Sequence, residues 1–371
     1  MNVAILSPNQ NAYSETFIQR HRQLPFAIFF YYGSSGIPNR LENYDALAIS
    51  TWRHYLRRVK VLLGVKDLMK PDQVAFADSL KRNKIQLVFA EYGTTGSHVY
   101  PICRKLNIPL LVHFHGFDAS EKSVLQNYRK SYLGMFSYAS AVVAVSDQMV
   151  NALIQIGCPK EKISKIPYGP SPIFLKLEKE EIEYDFLACG RFVEKKAPHL
   201  TIAAFKKVVE KHAQCKMIMC GDGPLLAVCK DLVRLWQLED NVIFYGVVNT
   251  EEFCKLLSKT RVFVQHSKIA ENGDSEGMPV AVLEALASGT PVISTLHAGI
   301  PECVRNGETG YVVAENDVDS MAEYMTASID EPIPFHSMGM NARRLILGNF
   351  TLEKSLESLK VVAENCVGKL Q

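Results

Sequence analysis

The sequence predicts two doubly wound α/β domains that face each other across a cleft. Three observations carry that expectation. Short apolar runs alternate with helical patterns along almost the whole chain, which is how parallel sheets built from βαβ units read. The alternation breaks once, at Pro167-Tyr168-Gly169-Pro170-Ser171-Pro172 and the charged run Lys176–Glu183, and then restarts. A chain of 371 residues is long enough for two domains, each with its own core. In such sheets ligand is expected at the carboxyl ends of the strands.

In the first half the candidate strands are Val3–Ser7, Phe26–Tyr32, Ile85–Glu91, Pro109–His115, Ala141–Ser146 and Ile163–Pro167. Each is a short apolar run of strand length bounded by turn residues. The first has neither a basic flank nor a small-residue cleavage site, so it reads as a buried strand and not as a signal peptide. Between them lie helical patterns such as Ser14–Gln23, Asp72–Arg82 and Asp147–Ile156. After the break the strands are Asp185–Arg191, Lys216–Gly221, Asn241–Gly246, Val262–His266 and Pro291–Thr295. Helices at about 197–212, 224–236, 250–258, 279–288 and 317–328 separate them. The last segment, 351–371, has helical periodicity but no strand after it, and is expected to pack back on the first domain. The expected division is therefore 1–170, 171–350 and this terminal helix.

Composition narrows the function classes. A hydrophobic fraction of 47% and a charged fraction of 22% are those of a soluble globular protein. A net charge of +2 predicts no nucleic-acid footprint. The nine cysteines include no CxxC pair and read as reduced, mostly buried thiols. No apolar run approaches the ~18–20 residues that span a bilayer, and a cytoplasmic location is expected. The stretch 52–70, WRHYLRRVKVLLGVKDLMK, carries six cations against Asp67. It fits equally a helix lying on an anionic membrane and a solvated crossover helix with one face in the core.

Several stretches carry residues suited to chemistry. Glu276–Gly289 reads as a loop leading into a helix, with Pro279 in its first turn and Gly289 just past its end. It sets two acids, Glu276 near the helix start and Glu284 inside an otherwise apolar helix. A buried carboxylate needs a partner or a ligand. The free helix N-terminus suits an anion. Gly190–Pro198 closes a strand, and its Arg191 and Lys196 can bind phosphate through a fork of donors and a point charge. Two cations in a loop are, on spacing alone, more commonly solvated. His115 ends a strand in His113-Phe114-His115-Gly116-Phe117-Asp118 and should point to the cleft. Two histidines one residue apart fit a core hydrogen-bond pair better than zinc. Asp222 in Cys220–Pro224 can cap the following helix, and Asp317 reads as another cap and not as a metal ligand.

Together these stretches resemble the retaining GT-B glycosyltransferases of family four, also called group one, in their polysaccharide-assembly branch. The resemblance is strongest from Asp185 to Val313, through GRFVEKKAP, CGDGPLL, VIFYGVV, SEGMPVAVLEALASGTPVIST and GIPECVRNGETGYVV. In the first half it rests on HFHGFD, VVAVSD and IPYGP. One departure stands out. Many members have a glycine-rich turn after the first strand, whereas Leu6–Thr16 has no glycine, and Ser14 there is a candidate N-cap.

The resemblance implies a UDP- or GDP-sugar donor, used as substrate with no cofactor, and a glycan or lipid-linked glycan acceptor. It implies that Arg191 and Lys196 hold the diphosphate without a metal ion. Glu276 would read the transferred sugar, with His115 opposite, and Glu284 the ribose. Gly190 and the backbone of Gly277, Met278 and Val280 would also face the donor, and the base would pack near Val247 and Val248. Same-face attack, with the leaving phosphate taking the proton, needs no protein base. Alternatives are a nucleotide-sugar epimerase of the same fold, or an inactive partner of another transferase. The second predicts gaps in the motif, yet Arg191, Lys196, Glu276 and Glu284 are all present.

Overall fold

The computed structural model describes residues 1–12, 15–33, 36–44, 46–48 and 69–368. Ser14 and nearly all of the basic stretch, up to residue 68, lie outside them.

Among the described residues, the first sheet comprises β1 (Asn2–Leu6), β2 (Ala27–Tyr32), β3 (Arg40–Leu41), β4 (Leu87–Glu91), β5 (Leu110–His113), β6 (Ala141–Ala144) and β7 (Ile163–Lys165). Their spatial order is β3-β2-β1-β4-β5-β6-β7, parallel except where β3 runs against β2. The second sheet contains β8 (Tyr184–Cys189), β9 (Met217–Cys220), β10 (Val242–Gly246), β11 (Thr260–Val264), β12 (Val292–Thr295) and β13 (Gly310–Val313). Its order is β10-β9-β8-β11-β12-β13, parallel throughout. Central strands are apolar along their length because helices cover both faces. Val3 lies opposite Ile28 on one side and Leu87 on the other, and all of β4 and β5 is buried.

Two strands are additions to the sequence expectation. The two-residue β3 is too short to show a pattern. At Gly310, which opens β13, an added Cβ would lie 2.0 Å from the Val292 carbonyl oxygen. Only glycine fits so close an approach, and a glycine at that point reads as loop.

The order of strands reverses direction between β1 and β4, and again between β8 and β11. Such reversals open a crevice at the strand ends, because the following connections leave to opposite faces. Both crevices face the same cleft.

The helix Val280–Ala287 follows β11. Its Val282, Leu283, Ala285, Leu286 and Ala287 are fully buried, and each leucine contributes roughly 1.5–3 kcal/mol by leaving water. Gly289, at φ +77°, supplies the left-handed residue that ends it. The helix Leu352–Gly368 comes last, and Leu359, Ala363 and Cys366 pack it among Val3, Ile5, Leu87 and Phe89 of the first sheet. Asp317 accepts the Ser320 N–H at 3.0 Å and so caps the helix Val318–Asp330. Asp222 does not cap in the expected way. It bonds the adjacent Gly223 N–H at 2.7 Å, and the helix there starts only at Leu226.

Among the described residues, no helix is long and apolar enough to cross a membrane. Seven of the nine cysteines are buried.

Candidate active site

A cavity of 720 Å³ opens between the two sheets at these strand ends. The first domain contributes Glu15, Phe17, Tyr92, His115, Phe117 and Tyr168 to its wall. The second contributes Gly190, Arg191, Lys196, Val247, Val248, Glu276, Met278, Val280 and Glu284. Ten of the eleven site residues expected from sequence therefore meet in one place.

Gly277 is the exception. It is packed against the first domain, where an added Cβ would lie 2.4 Å from the His115 carbonyl oxygen. Across from it, a Cβ on Gly116 (φ +153°) would lie 2.8 Å from the Ser275 carbonyl oxygen. Backbone meets backbone here. The Lys122 N–H reaches the Asn272 carbonyl at 2.9 Å, and the Ser275 N–H reaches Ser120 Oγ at 3.0 Å.

The cationic wall comes from the turn after β8. Arg191 is exposed to the cleft and has no carboxylate in ion-pair contact among the described residues. Lys196 is half-buried, 3.4 Å from both Glu276 Oε1 and Gln265 Oε1. Burial lowers its pKa, with the Glu276 carboxylate opposing. For Glu276 burial acts upward, but Lys196, Lys195, His297 and Arg191 outweigh it and the pKa falls to about 2. At 3.4 Å the lysine pairs by charge more than by a hydrogen bond. Glu276 Oε1 is thus left as a buried acceptor without a hydrogen-bond donor. That is the group a sugar hydroxyl would satisfy.

Other side chains hold the Glu276 loop. Lys195, 6% exposed, donates to Asp274 Oδ1 at 2.9 Å and to the Ser275 carbonyl at 3.3 Å. The fully buried His297 accepts the Glu276 N–H on Nε2 at 3.1 Å, which leaves its Nδ1–H for Glu315 at 2.7 Å.

On the opposite wall, His115 is held from both ring nitrogens. Nε2 meets Glu91 Oε2 at 2.9 Å, and Nδ1 meets the Tyr168 hydroxyl at 2.5 Å. Burial pushes the Glu91 carboxyl up, but His21 and His115 outweigh it and the net shift is downward. An ionised Glu91 can only accept, so Nε2 carries a proton. Asp118 sets the loop itself, with Oδ1 accepting from the His115 N–H at 3.0 Å and the Gly116 N–H at 2.9 Å.

Below His115, the atoms of His21, Glu91 and His113 lie within 4.8 Å of one another. Both Glu91 oxygens are already engaged, by His21 Nδ1 at 2.7 Å and by His115. The group therefore fits a hydrogen-bonded cluster better than a metal-ligand set. Burial pushes the His113 pKa well down, and both of its ring nitrogens lack a hydrogen-bond partner.

Two family models match adjoining parts of the chain, together covering residues 20–345. Residues 20–171 match the model described as Glycosyltransferase Family 4, and residues 172–345 match Glycosyl transferases group 1. The chain belongs to glycosyltransferase family 4.

Among this family-4 chain's relatives is a putative colanic acid biosynthesis glycosyltransferase of Escherichia coli (strain K12). It is 34% identical over 58% of this chain and 53% of its own length. The chain spans about half the length of several such curated relatives. A UDP-Gal:alpha-D-GlcNAc-diphosphoundecaprenol alpha-1,3-galactosyltransferase of Escherichia coli is 26% identical over 82% of this chain and 80% of its own. Among solved structures, Anabaena HepE in complex with UDP and glucose superposes with a TM-score of 0.76. That match covers 98% of this chain and 99% of the other at 15% identity, and it shows the shared GT-B fold.

The family-4 motif residues were legible from the resemblance because each pair sits within one strand–loop–helix stretch, after β8 and after β11. Their supports were not. Glu91, Tyr168, His297, Glu315 and Arg20 are brought in from elsewhere in the chain, and of these only Tyr168 lies within a quoted motif, Ile166-Pro167-Tyr168-Gly169-Pro170. Glu284 is the clearest case. Its Oε1 is held at 2.6 Å by Arg20 from the first domain.

Proposed function

We propose that this chain is a retaining, metal-independent glycosyltransferase that moves a hexosyl group from a nucleoside diphosphate sugar to a glycan or lipid-linked glycan acceptor. The process is assembly of a surface polysaccharide. The observation that carries the reading is the buried oxygen of Glu276 that lacks a hydrogen-bond donor, set in one cavity with Arg191 and Lys196. A hydroxyl-rich group beside a diphosphate satisfies all three. The exposed apolar face of Val247, 47% exposed, offers a surface for the base. A uridine donor is favoured over guanosine, since the relative matched over most of its length takes UDP-Gal. That relative's acceptor supports a lipid-linked acceptor, and the colanic acid assignment of the other supports polysaccharide assembly.

The proton's destination follows from Glu276. A carboxylate with a pKa near 2 is a weak base, so it is unsuited to deprotonating an acceptor hydroxyl. The acceptor oxygen attacks the anomeric carbon on the face the diphosphate leaves. As the bond from carbon to phosphate oxygen breaks, its electron pair stays on that oxygen, which takes the acceptor's proton. Arg191 and Lys196 stabilise the growing charge, each worth about 3–4 kcal/mol if it acts as a well-placed oxyanion donor does.

The test is to incubate the chain with UDP- and GDP-sugars and a polyprenyl-diphosphate-linked saccharide, and to measure both nucleotide release and glycosylated product. Product with retained anomeric configuration, insensitive to chelator, is expected. Loss of activity on adding chelator would remove metal independence, and turnover of donor to its epimer without acceptor would replace transferase by epimerase.

A further inference from the structure

Arg20 lies near the end of the helix Thr16–His21 and is 8% exposed. Its guanidinium is divided between two acceptors. Nη1 donates to the Gly169 carbonyl at 2.7 Å, and Nη2 donates to Glu284 Oε1 at 2.6 Å. One side chain thus joins the opening helix, the interdomain segment and the core helix of the second domain. Arg20 is not part of the cavity wall, whereas Glu284 is.

The titratable groups that face Glu284 are Arg20, Cys189 and Cys254. Hydrogen bonding to Cys220 and burial raise the Cys189 thiol, and burial raises Cys254, so neither is charged near neutral pH. Burial also pushes the Glu284 carboxyl up, and Arg20 is the cation that opposes it. A guanidinium fixes direction as well as charge, because its donors are held in a rigid plane.

We propose that Arg20 is a positioning residue for donor recognition: from the opposite domain it grips Oε1 of Glu284 and leaves Oε2 to accept from the ribose hydroxyls of a bound nucleoside diphosphate. This rests on the reading of the cavity as a donor site. Without Arg20 the carboxyl takes up a proton more readily and loses its orientation. It then cannot accept from two hydroxyls at once.

The experiment is calorimetric binding of UDP, GDP and their 2′-deoxy counterparts to the full chain between about pH 6 and 8.5. It compares wild type, Arg20→Met, Arg20→Lys, Glu284→Gln and the Arg20→Met/Glu284→Gln double variant. Wild type should prefer the ribonucleotide by roughly tenfold, the worth of one charge-assisted hydrogen bond. Arg20→Met should lose most of that preference and regain part of it as pH rises and Glu284 ionises. Arg20→Lys should recover it in part, and the double variant should match Glu284→Gln. If Arg20→Met or Arg20→Lys unfolds at the temperature of the assay, the other variant carries the comparison. Wild-type ribose discrimination in a folded Arg20→Met at every pH would reduce Arg20 to a tether and overturn the proposal.

If wild type binds neither nucleotide, the donor-site reading fails. The Arg20–Glu284 link is then tested alone by ¹³C-carboxyl NMR. The resonance abolished in Glu284→Gln must titrate at higher pH in Arg20→Met than in wild type, and an unchanged titration overturns the link too.

Discussion

The His297 ring supports Glu276 from behind, accepting its backbone N–H at 3.1 Å while Glu315 holds the far nitrogen at 2.7 Å. The side chain proposed to read a sugar is thus fixed through its own main chain. Replacing His297 with Ala leaves that N–H without its partner, at a cost of about 1–3 kcal/mol. A lower melting temperature and a slower transfer rate are expected in His297→Ala. Unchanged values in both would mean that the loop is held by Lys195 alone.

Lys196 and Arg191 face the same region of the cavity, so each should matter most as charge develops on the leaving phosphate. Lys196→Ala or Arg191→Ala is expected to lower kcat by about 10²–10³-fold. Steady-state transfer with a saturating donor reads this directly. Wild-type kcat in either variant would remove that residue from the reacting centre.

Glu276 links the site to acid stability. Its pKa falls from 4.5 unfolded to about 2 folded, so it stabilises the fold above the unfolded value and loses this contribution as pH falls toward 2. The contribution is on the order of 3 kcal/mol. Urea unfolding of wild type and Glu276→Gln should therefore show stabilities that converge as the pH is lowered from about 5 to 2. A constant gap over that range would contradict the depressed pKa.

Glu91 is buried with two histidine partners, and removing one member of such a group leaves the others uncompensated. Glu91→Ala is expected to cost about 3–5 kcal/mol. Tyr168→Phe, which removes only the hydroxyl beside His115 Nδ1, should cost about 1 kcal/mol. The order of the two losses, measured by denaturant midpoint, is the prediction, and a larger loss in Tyr168→Phe would contradict it.

The basic stretch yields a prediction from sequence alone. Neutralising Arg57, Arg58 and Lys60 should weaken co-sedimentation with anionic vesicles, by ~1 kcal/mol per cation if these side chains lie near the lipid. Equal sedimentation would assign them to a solvated surface.

What could be read in the sequence was local. Arg191 and Lys196 follow β8 within seven residues of its end, and Glu276 and Glu284 share one loop and helix, so each pair falls in one short stretch that the family resemblance singles out. The apolar runs located eleven strands because buried parallel strands are apolar throughout. The His21–Glu91 and Arg20–Glu284 pairs were not legible, because each joins residues 70 and 264 positions apart. No pattern along the chain marks a contact that only tertiary packing creates. Glu91 ends an ordinary apolar strand, and nothing in Phe89-Ala90-Glu91 signals three neighbouring histidines.

The bare backbone contact at Gly116 and Gly277 acts as a mechanical stop. With no side chain between them to compress or rearrange, the approach of the two domains at this point is limited by main-chain atoms. The opposite rim, at Val247 and Val248, is built of side chains and lies open. If the donor lies as proposed, variation in what this scaffold accepts should be concentrated at the Val247 and Val248 rim, and the Glu276 end should change only through what projects from the loops beside that stop.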